Sequence, residues 1–258
     1  MLPLRDENPH PPGFKPTVTY ALIIVNVIVF LFEIAVTGQF LEFTNNNAYN
    51  LFYNWGAVPN CVTGATVSTI NFGQGPINIP CPSEPYFSLL SSTFLHGGLM
   101  HLGGNMLFLW IFGDNIELKF GKIKYLGIYL FWGISAGLIH ILGDTSSAIP
   151  AVGASGAISG VLGAYLVIFP KAKIQTVMIM GFFMRMMHIQ AKWFLPFWLI
   201  FQNLLPFFIG GFGIAGDGVA YLAHIGGFIV GLGTGYLYRK THSSDFTYGT
   251  RYGYNAYK

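Results

Sequence analysis

TFLHGGLMHLGGNMLFLWIFG, DNIELKFGKIK and YLGIYLFWGISAGLIHIL follow one another without a break from Thr93 to Leu142. The outer two pieces are close to the roughly 20 apolar residues that a helix needs to cross a bilayer. The middle piece gathers Lys119, Lys122 and Lys124 between them. Two membrane-length spans around a basic connection describe a helical hairpin in lipid. Composition agrees: 53% of the 258 residues are hydrophobic and 9% charged, against about a quarter charged in an ordinary soluble domain. Collagen-like, disordered and disulfide-scaffold classes are excluded by the absence of a Gly period, the low charge and the two cysteines. A net charge of +3 gives no electrostatic footprint for nucleic acid.

Working outward, four more apolar stretches have membrane length: residues 17–36, 150–169, 193–212 and 218–238, which with 93–113 and 125–142 make six expected spans. All 13 Lys and Arg fall in alternate connections or in the tails. Arg5 and Lys15 precede the first span. Lys171, Lys173, Arg185 and Lys192 lie between the fourth and fifth, and Arg239, Lys240, Arg251 and Lys258 follow the sixth. The intervening connections carry only acids, Glu42, Glu84, Asp144 and Asp217. The positive-inside rule then places both termini in the cytoplasm. The expected organisation is a short cytoplasmic segment (1–16), an all-α six-helix membrane domain (17–239) with a long outer loop (37–92), and a cytoplasmic tail (240–258). The first span is longer than a signal-peptide core and no small-x-small cleavage site follows it, so it is read as retained. Cys61 and Cys81 share the outer loop, where an oxidising exterior permits a disulfide; two free thiols are the alternative.

Polar side chains inside a span are costly and mark function by default. Those singled out are His96, His101 and Asn105 in the second span, Ser155 and Ser159 in the fourth, and His224 in the sixth. At 1.5 Å per residue, Ser155, His224 and His101 lie roughly 8, 10 and 12 Å below the outer ends of their spans. Three helices thus bring polar groups to one level. Ser155 follows Pro150 near a helix start, where free N–H groups and the helix dipole favour an attacking serine and a developing oxyanion. Ser155, Ser159 and Gly163 also recur at the spacing by which small residues let membrane helices touch. His224 projects from a ridge of small residues, Ala220, Gly227 and Gly231, suited to close packing against the fourth span. A neutral imidazole there can take a serine proton and return it to a leaving amine. His101 and Asn105, one turn apart, are candidate oxyanion donors, while His96 is read as anchoring the end of the outer loop. The histidines lack the companion carboxylate or thiolate of a helical zinc site, so no metal is expected. Asp217 is about 10 Å along the axis from His224, and Glu33 and Asp114 are read toward the inner side. The expectation is a Ser–His dyad without an acid.

Four segments, FLHGGLMHLGGN (94–105), GDNIE (113–117), VGASGAISG (152–160) and AHIGGF (223–228), together resemble the rhomboid intramembrane serine proteases. The resemblance covers residues 90–240, the first span more weakly. It implies Ser155 as nucleophile, His224 as general base, and His101, Asn105 and the Ser155 N–H as oxyanion stabilisers. It also implies single-span membrane proteins as substrates, cut near their outer ends after local unwinding, with neither metal nor cofactor. Two departures stand out. Where members often carry a Tyr one turn after the nucleophile, stacked on the histidine, this chain has Ser159, leaving Tyr221 and Tyr165 as substitutes. The outer loop has no Trp-Arg pair, so its anchoring is assigned to Phe52, Tyr53, Trp55, Tyr86 and Phe87. Gly210, Gly211, Gly213 and Gly216, with the Pro-broken fifth span, suggest a gate; a tight Gly-rich turn is the alternative. The competing functions are a catalytically inactive relative that binds transmembrane clients, and a channel or transporter. A prokaryotic plasma membrane is the expected home, and oligomeric state is left open.

Overall fold

The computed structural model describes residues 1–71, 76–180, 183–209 and 219–242. In chain order these form β1 (Leu2–Asp6), α1 (Thr17–Thr37), α2 (Asn46–Trp55), α3 (Pro59–Val62), β2 (Val67–Asn71), β3 (Pro76–Pro80), α4 (Ser88–Ser91), α5 (Leu99–Phe120), α6 (Lys122–Gly143) and α7 (Ser155–Ile168). There follow β4 (Lys173–Met180), β5 (Phe183–Gln190), α8 (Ala191–Leu199), a π-helical turn (Ile200–Leu204), α9 (Leu205–Ile209) and α10 (Tyr221–Thr241).

The helices form a bundle turned inside out relative to a soluble one. On α1, Ile24, Ile28, Leu31 and Phe32 are each more than half exposed, while Thr19, Asn26 and Glu33 are buried. Such a surface loses free energy in water and none in hydrocarbon. Among the described residues, α1 and α6 are long and apolar enough to cross a membrane, with mean hydropathies of 2.4 and 1.7. The other expected spans are trimmed or broken. α5 starts at Leu99 because residues 92–98 form a 3-10 turn and an extended stretch. The fifth span is interrupted by the π-helical turn between Pro196 and Pro206. α7 begins at Ser155, so Pro150 lies outside its first turn. An isolated bridge between Ala57 and Ala151 holds that approach extended.

α7 occupies the middle of the bundle, packed by α5, α6, α8 and α10. Its Gly, Ala and Ser side chains leave the volume to large side chains of neighbouring elements, Phe112, Tyr125, Tyr129, Trp132 and Phe228, all fully buried. Toward α10 the gap closes to backbone contact. A Cβ added at Gly227 would sit 2.1 Å from the Gly156 carbonyl oxygen, and one at Gly231 would sit 2.0 Å from that of Gly160. The small-residue ridge around His224 does press on the helix that starts with Ser155.

Strands correct the all-α expectation. β1, β4 and β5 make an antiparallel sheet in which Leu2 opposes Val177 and Lys173 opposes Gln190. Between α7 and α8 the period changes to two, Lys173-Ile-Gln-Thr-Val177, and Ile174 and Thr176 are the buried side of that alternation. In the outer loop β2 and β3 pair as a hairpin. The cysteines there are joined, Cys61 to Cys81. Phe52 is buried against Phe30 of α1 and Leu102 of α5, and Tyr53 against Val58 and Cys61, with the Tyr53 hydroxyl on the Ala148 carbonyl at 2.5 Å. Trp55, Tyr86 and Phe87 remain exposed. Two of the five aromatics assigned to the membrane interface are therefore buried and tie the loop to the rest of the bundle instead.

Buried carboxylates staple the bundle. Glu117 of α5 accepts from the Val18 and Thr19 amides and the Thr19 hydroxyl at 3.0, 2.8 and 2.8 Å. It thus satisfies the otherwise uncapped start of α1 and places negative charge at the positive end of that helix.

Candidate active site

Ser155 is the first residue of α7, preceded by Ala154 in a helical conformation and by Gly153 at φ +129°. The Gly153 amide donates to the Ser92 carbonyl at 2.8 Å, which fixes the entry of the chain. As a first-turn residue, Ser155 has an N–H with no intrahelical acceptor. Its Oγ lies 2.7 Å from Nε2 of His224, which sits in the first turn of α10. The close α7–α10 packing described above sets that distance.

His101, in the first turn of α5, flanks the serine. A Cβ at Gly153 would meet His101 Nε2 at 2.8 Å and Ser155 Oγ at 3.5 Å, so only glycine leaves room between the two side chains. The His101 Nδ1 accepts from the Gly97 amide at 3.3 Å, which leaves Nε2 as the N–H that can donate. Asn105, one turn further on, is buried, and its Nδ2 has no hydrogen-bond partner among the described residues. A buried amide donor without an acceptor is poised for an oxygen that arrives from outside.

The remaining candidates take other places. Ser159 donates its hydroxyl back to the Ser155 carbonyl at 2.8 Å. His96 precedes α5, and its amide donates to Glu33 Oε1 at 2.8 Å, joining the loop end to α1. Its ring lies 5.2 Å from that of His101 and has no hydrogen-bond partner among the described residues. Glu33 is thus level with this segment rather than toward the inner side, because α1 enters from the other end and Glu33 is 16 residues beyond Thr17, roughly 24 Å along the axis. Asp114 lies in the second half of α5, with its carboxylate 3.5 Å from His10. Tyr165 is not beside His224. Its hydroxyl donates to Asp6 Oδ2 at 2.6 Å, joining β1 to α7. Asp217 and the glycines 210, 211, 213 and 216 lie outside the described residues. Among the described residues no group of three or more His, Cys, Asp or Glu is placed to hold a metal.

One partner of the histidine was missed. Asn203, in the π-helical turn, is buried, and its Oδ1 is 2.6 Å from His224 Nδ1. The indole of Trp198 is tilted beside the same imidazole, with centroids 6.3 Å apart. The signal was present in the sequence, since Asn203 is a strongly polar residue inside an expected span and the rule that selected Asn105 selects it too.

The Rhomboid domain family model matches residues 83–241. The chain belongs to the rhomboid family. Its architecture is accordingly a multi-pass helical membrane fold, and the match takes in Ser155, His224, His101, Asn105 and Asn203. Among rhomboid relatives, it is 32% identical over 152 residues to "Rhomboid protease GluP" of Bacillus subtilis, covering 59% of this chain and 24% of that protein. It is 30% identical over 166 residues to "Rhomboid-like protein 11, chloroplastic" of Arabidopsis thaliana, covering 62% and 55%. It is 37% identical over 91 residues to "Rhomboid protein 1, mitochondrial" of Saccharomyces cerevisiae, covering 34% and 26%. The matched stretches thus span between about a quarter and about half of these relatives' lengths.

Proposed function

We propose that this rhomboid protein is an intramembrane serine endopeptidase that cleaves single-span membrane proteins near the outer ends of their transmembrane segments. The observation that carries the reading is the 2.7 Å approach of His224 Nε2 to Ser155 Oγ at the start of a central, buried helix. Ser155 Oγ attacks the scissile carbonyl as its proton passes to His224 Nε2. The carbonyl oxygen becomes an oxyanion, with the Ser155 N–H, His101 and Asn105 as donors. Collapse returns the proton from His224 to the departing amine and leaves an acyl ester on Ser155. Water, deprotonated by the same imidazole, then releases the acid. The proposed setting is a bundle of six spans with both termini cytoplasmic, the arrangement that the distribution of Lys and Arg favours. The relatives named above come from a bacterium, a plant and a fungus. They do not favour the prokaryotic plasma membrane expected from sequence, and the proposal keeps only an integral membrane protein.

Fluorophosphonate labelling of the purified chain tests the dyad without a substrate. Wild type is expected to label, and Ser155→Ala and His224→Ala are each expected to abolish labelling. Labelling that survives Ser155→Ala places the nucleophile elsewhere. Folded wild type that does not label favours the client-binding reading instead.

A further inference from the structure

The acid of a serine triad orients its histidine and selects the tautomer. This chain places no carboxylate at Nδ1 of His224 among the described residues; it places an amide. Both ends of the Asn203 side chain have chemically matched partners: Oδ1 meets the imidazole nitrogen at 2.6 Å, and Nδ2 donates to the Trp198 carbonyl at 3.4 Å. The second contact defines which end of the amide faces the histidine. An acceptor at Nδ1 requires the proton there, which leaves Nε2 unprotonated toward Ser155 Oγ, the state a general base needs.

The local backbone exists in a form that makes this contact. The buried face of α8 is marked by Ala191, Phe194 and Leu195. Continued as a regular helix, position 203 falls about 120° away from the centre of that face. The π-helical turn Ile200–Leu204 takes up one extra residue, and subtracting its roughly 100° returns position 203 to the bundle side. Gln202, the neighbouring polar residue, is exposed.

We propose that Asn203 is the positioning residue of the site, a neutral third member that holds His224 in the tautomer and orientation needed to take the Ser155 proton, and that the π-helical turn is the device that delivers it. The inference rests on the proteolytic reading of Ser155 and His224. During proton transfer the Nδ1–H stays on the ring and remains donated to Asn203 Oδ1, so the amide neither gains nor loses a proton. An oriented amide dipole supports the imidazolium less than a carboxylate does, and it avoids placing a fixed negative charge in a low-dielectric bundle. The titratable side chains that act on His224 from packed elements are His101 of α5 and His140 of α6.

The test is the pH dependence of the fluorophosphonate labelling rate, measured on the full chain in detergent for wild type, Asn203→Leu and Asn203→Asp, with thermal midpoints as the check of folding. Asn203→Leu keeps the bulk and removes the acceptor; labelling is expected to fall at least about tenfold and the acid limb to move to lower pH. Asn203→Asp keeps the shape and adds charge; the acid limb is expected to move up by about one pH unit or more. Opposite displacements are a result that a packing role does not produce. Should Asn203→Leu fail to fold, the upward displacement in Asn203→Asp carries the test alone. Unmoved limbs in the folded variants overturn the proposal, whether or not the rate falls. Absence of labelling in folded wild type overturns the proteolytic reading first and is recognisable as that different failure.

Discussion

Gly153 is where the site leaves no room for a side chain. Its φ of +129° is one that side chains rarely adopt, and the missing Cβ is what lets His101 and Ser155 face each other. Gly153→Ala combines backbone strain of about 1–3 kcal/mol with a collision at His101. Labelling of Ser155 is expected to drop at least about tenfold while the protein remains folded, a split read by measuring labelling rate and thermal midpoint on the same sample. Wild-type labelling in this variant contradicts the geometry assigned to His101. Ser155 and His224 were legible because each sits in a short local pattern, GASG and AHIGG, whose small residues and polar intruder can be read without knowing the partner helix. Asn203 carries no such local signature. Its place depends on an extra residue in one helical turn and on a helix 21 residues away in sequence. The level of Glu33 is fixed by its contact with the His96 amide, 63 residues away in sequence, which no local pattern announces.

At the scale of elements, α7 and α10 meet through glycine, so their separation is set by main chain rather than by adjustable side chains. Adding a methyl at Gly231 puts it on the Gly160 backbone. Gly231→Ala is expected to destabilise by about 1–3 kcal/mol, the usual cost of overpacking. It should also slow labelling, since α10 carries His224 away from Ser155 when it is displaced. A lowered thermal midpoint with an unchanged labelling rate argues that the contact supports the fold alone. The four-residue spacing of small residues made this interface readable in advance. The β4–β5 hairpin was not read, although its two-residue alternation is visible at residues 173–177. Its methionine-rich continuation, Val177-Met-Ile-Met180, looks equally apolar at any period.

For the whole molecule, the first residues are a structural part of the fold. β1 pairs with β4, and Asp6 Oδ2 gathers donors from Asn8, Asn115 and Tyr165 at 2.7, 2.9 and 2.6 Å. The sheet, α5 and α7 thereby meet at one carboxyl group. Burial pushes that carboxyl up to about 6, Asp114 adds to the rise, and hydrogen bonds from Tyr165 and Asn8 oppose it. A carboxyl raised in the folded state contributes stability that is complete below its unfolded value of 3.8 and is lost as pH rises through about 6. The thermal midpoint of wild type is therefore expected to fall between pH 4 and pH 7 relative to Asp6→Asn, which stays neutral throughout. Parallel pH profiles for the two proteins contradict the assignment.

The Cys61–Cys81 bridge has a use that has nothing to do with holding the loop. These are the chain's two cysteines, and the bond between them forms readily only on the oxidising side of a membrane. In the proposed orientation, with both termini cytoplasmic and this loop outside, a molecule inserted upside down would keep both sulfurs as thiols. The ratio of thiol to disulfide in a preparation is thus a test of the proposed orientation, readable by alkylation and mass spectrometry without a tag or a reporter fusion.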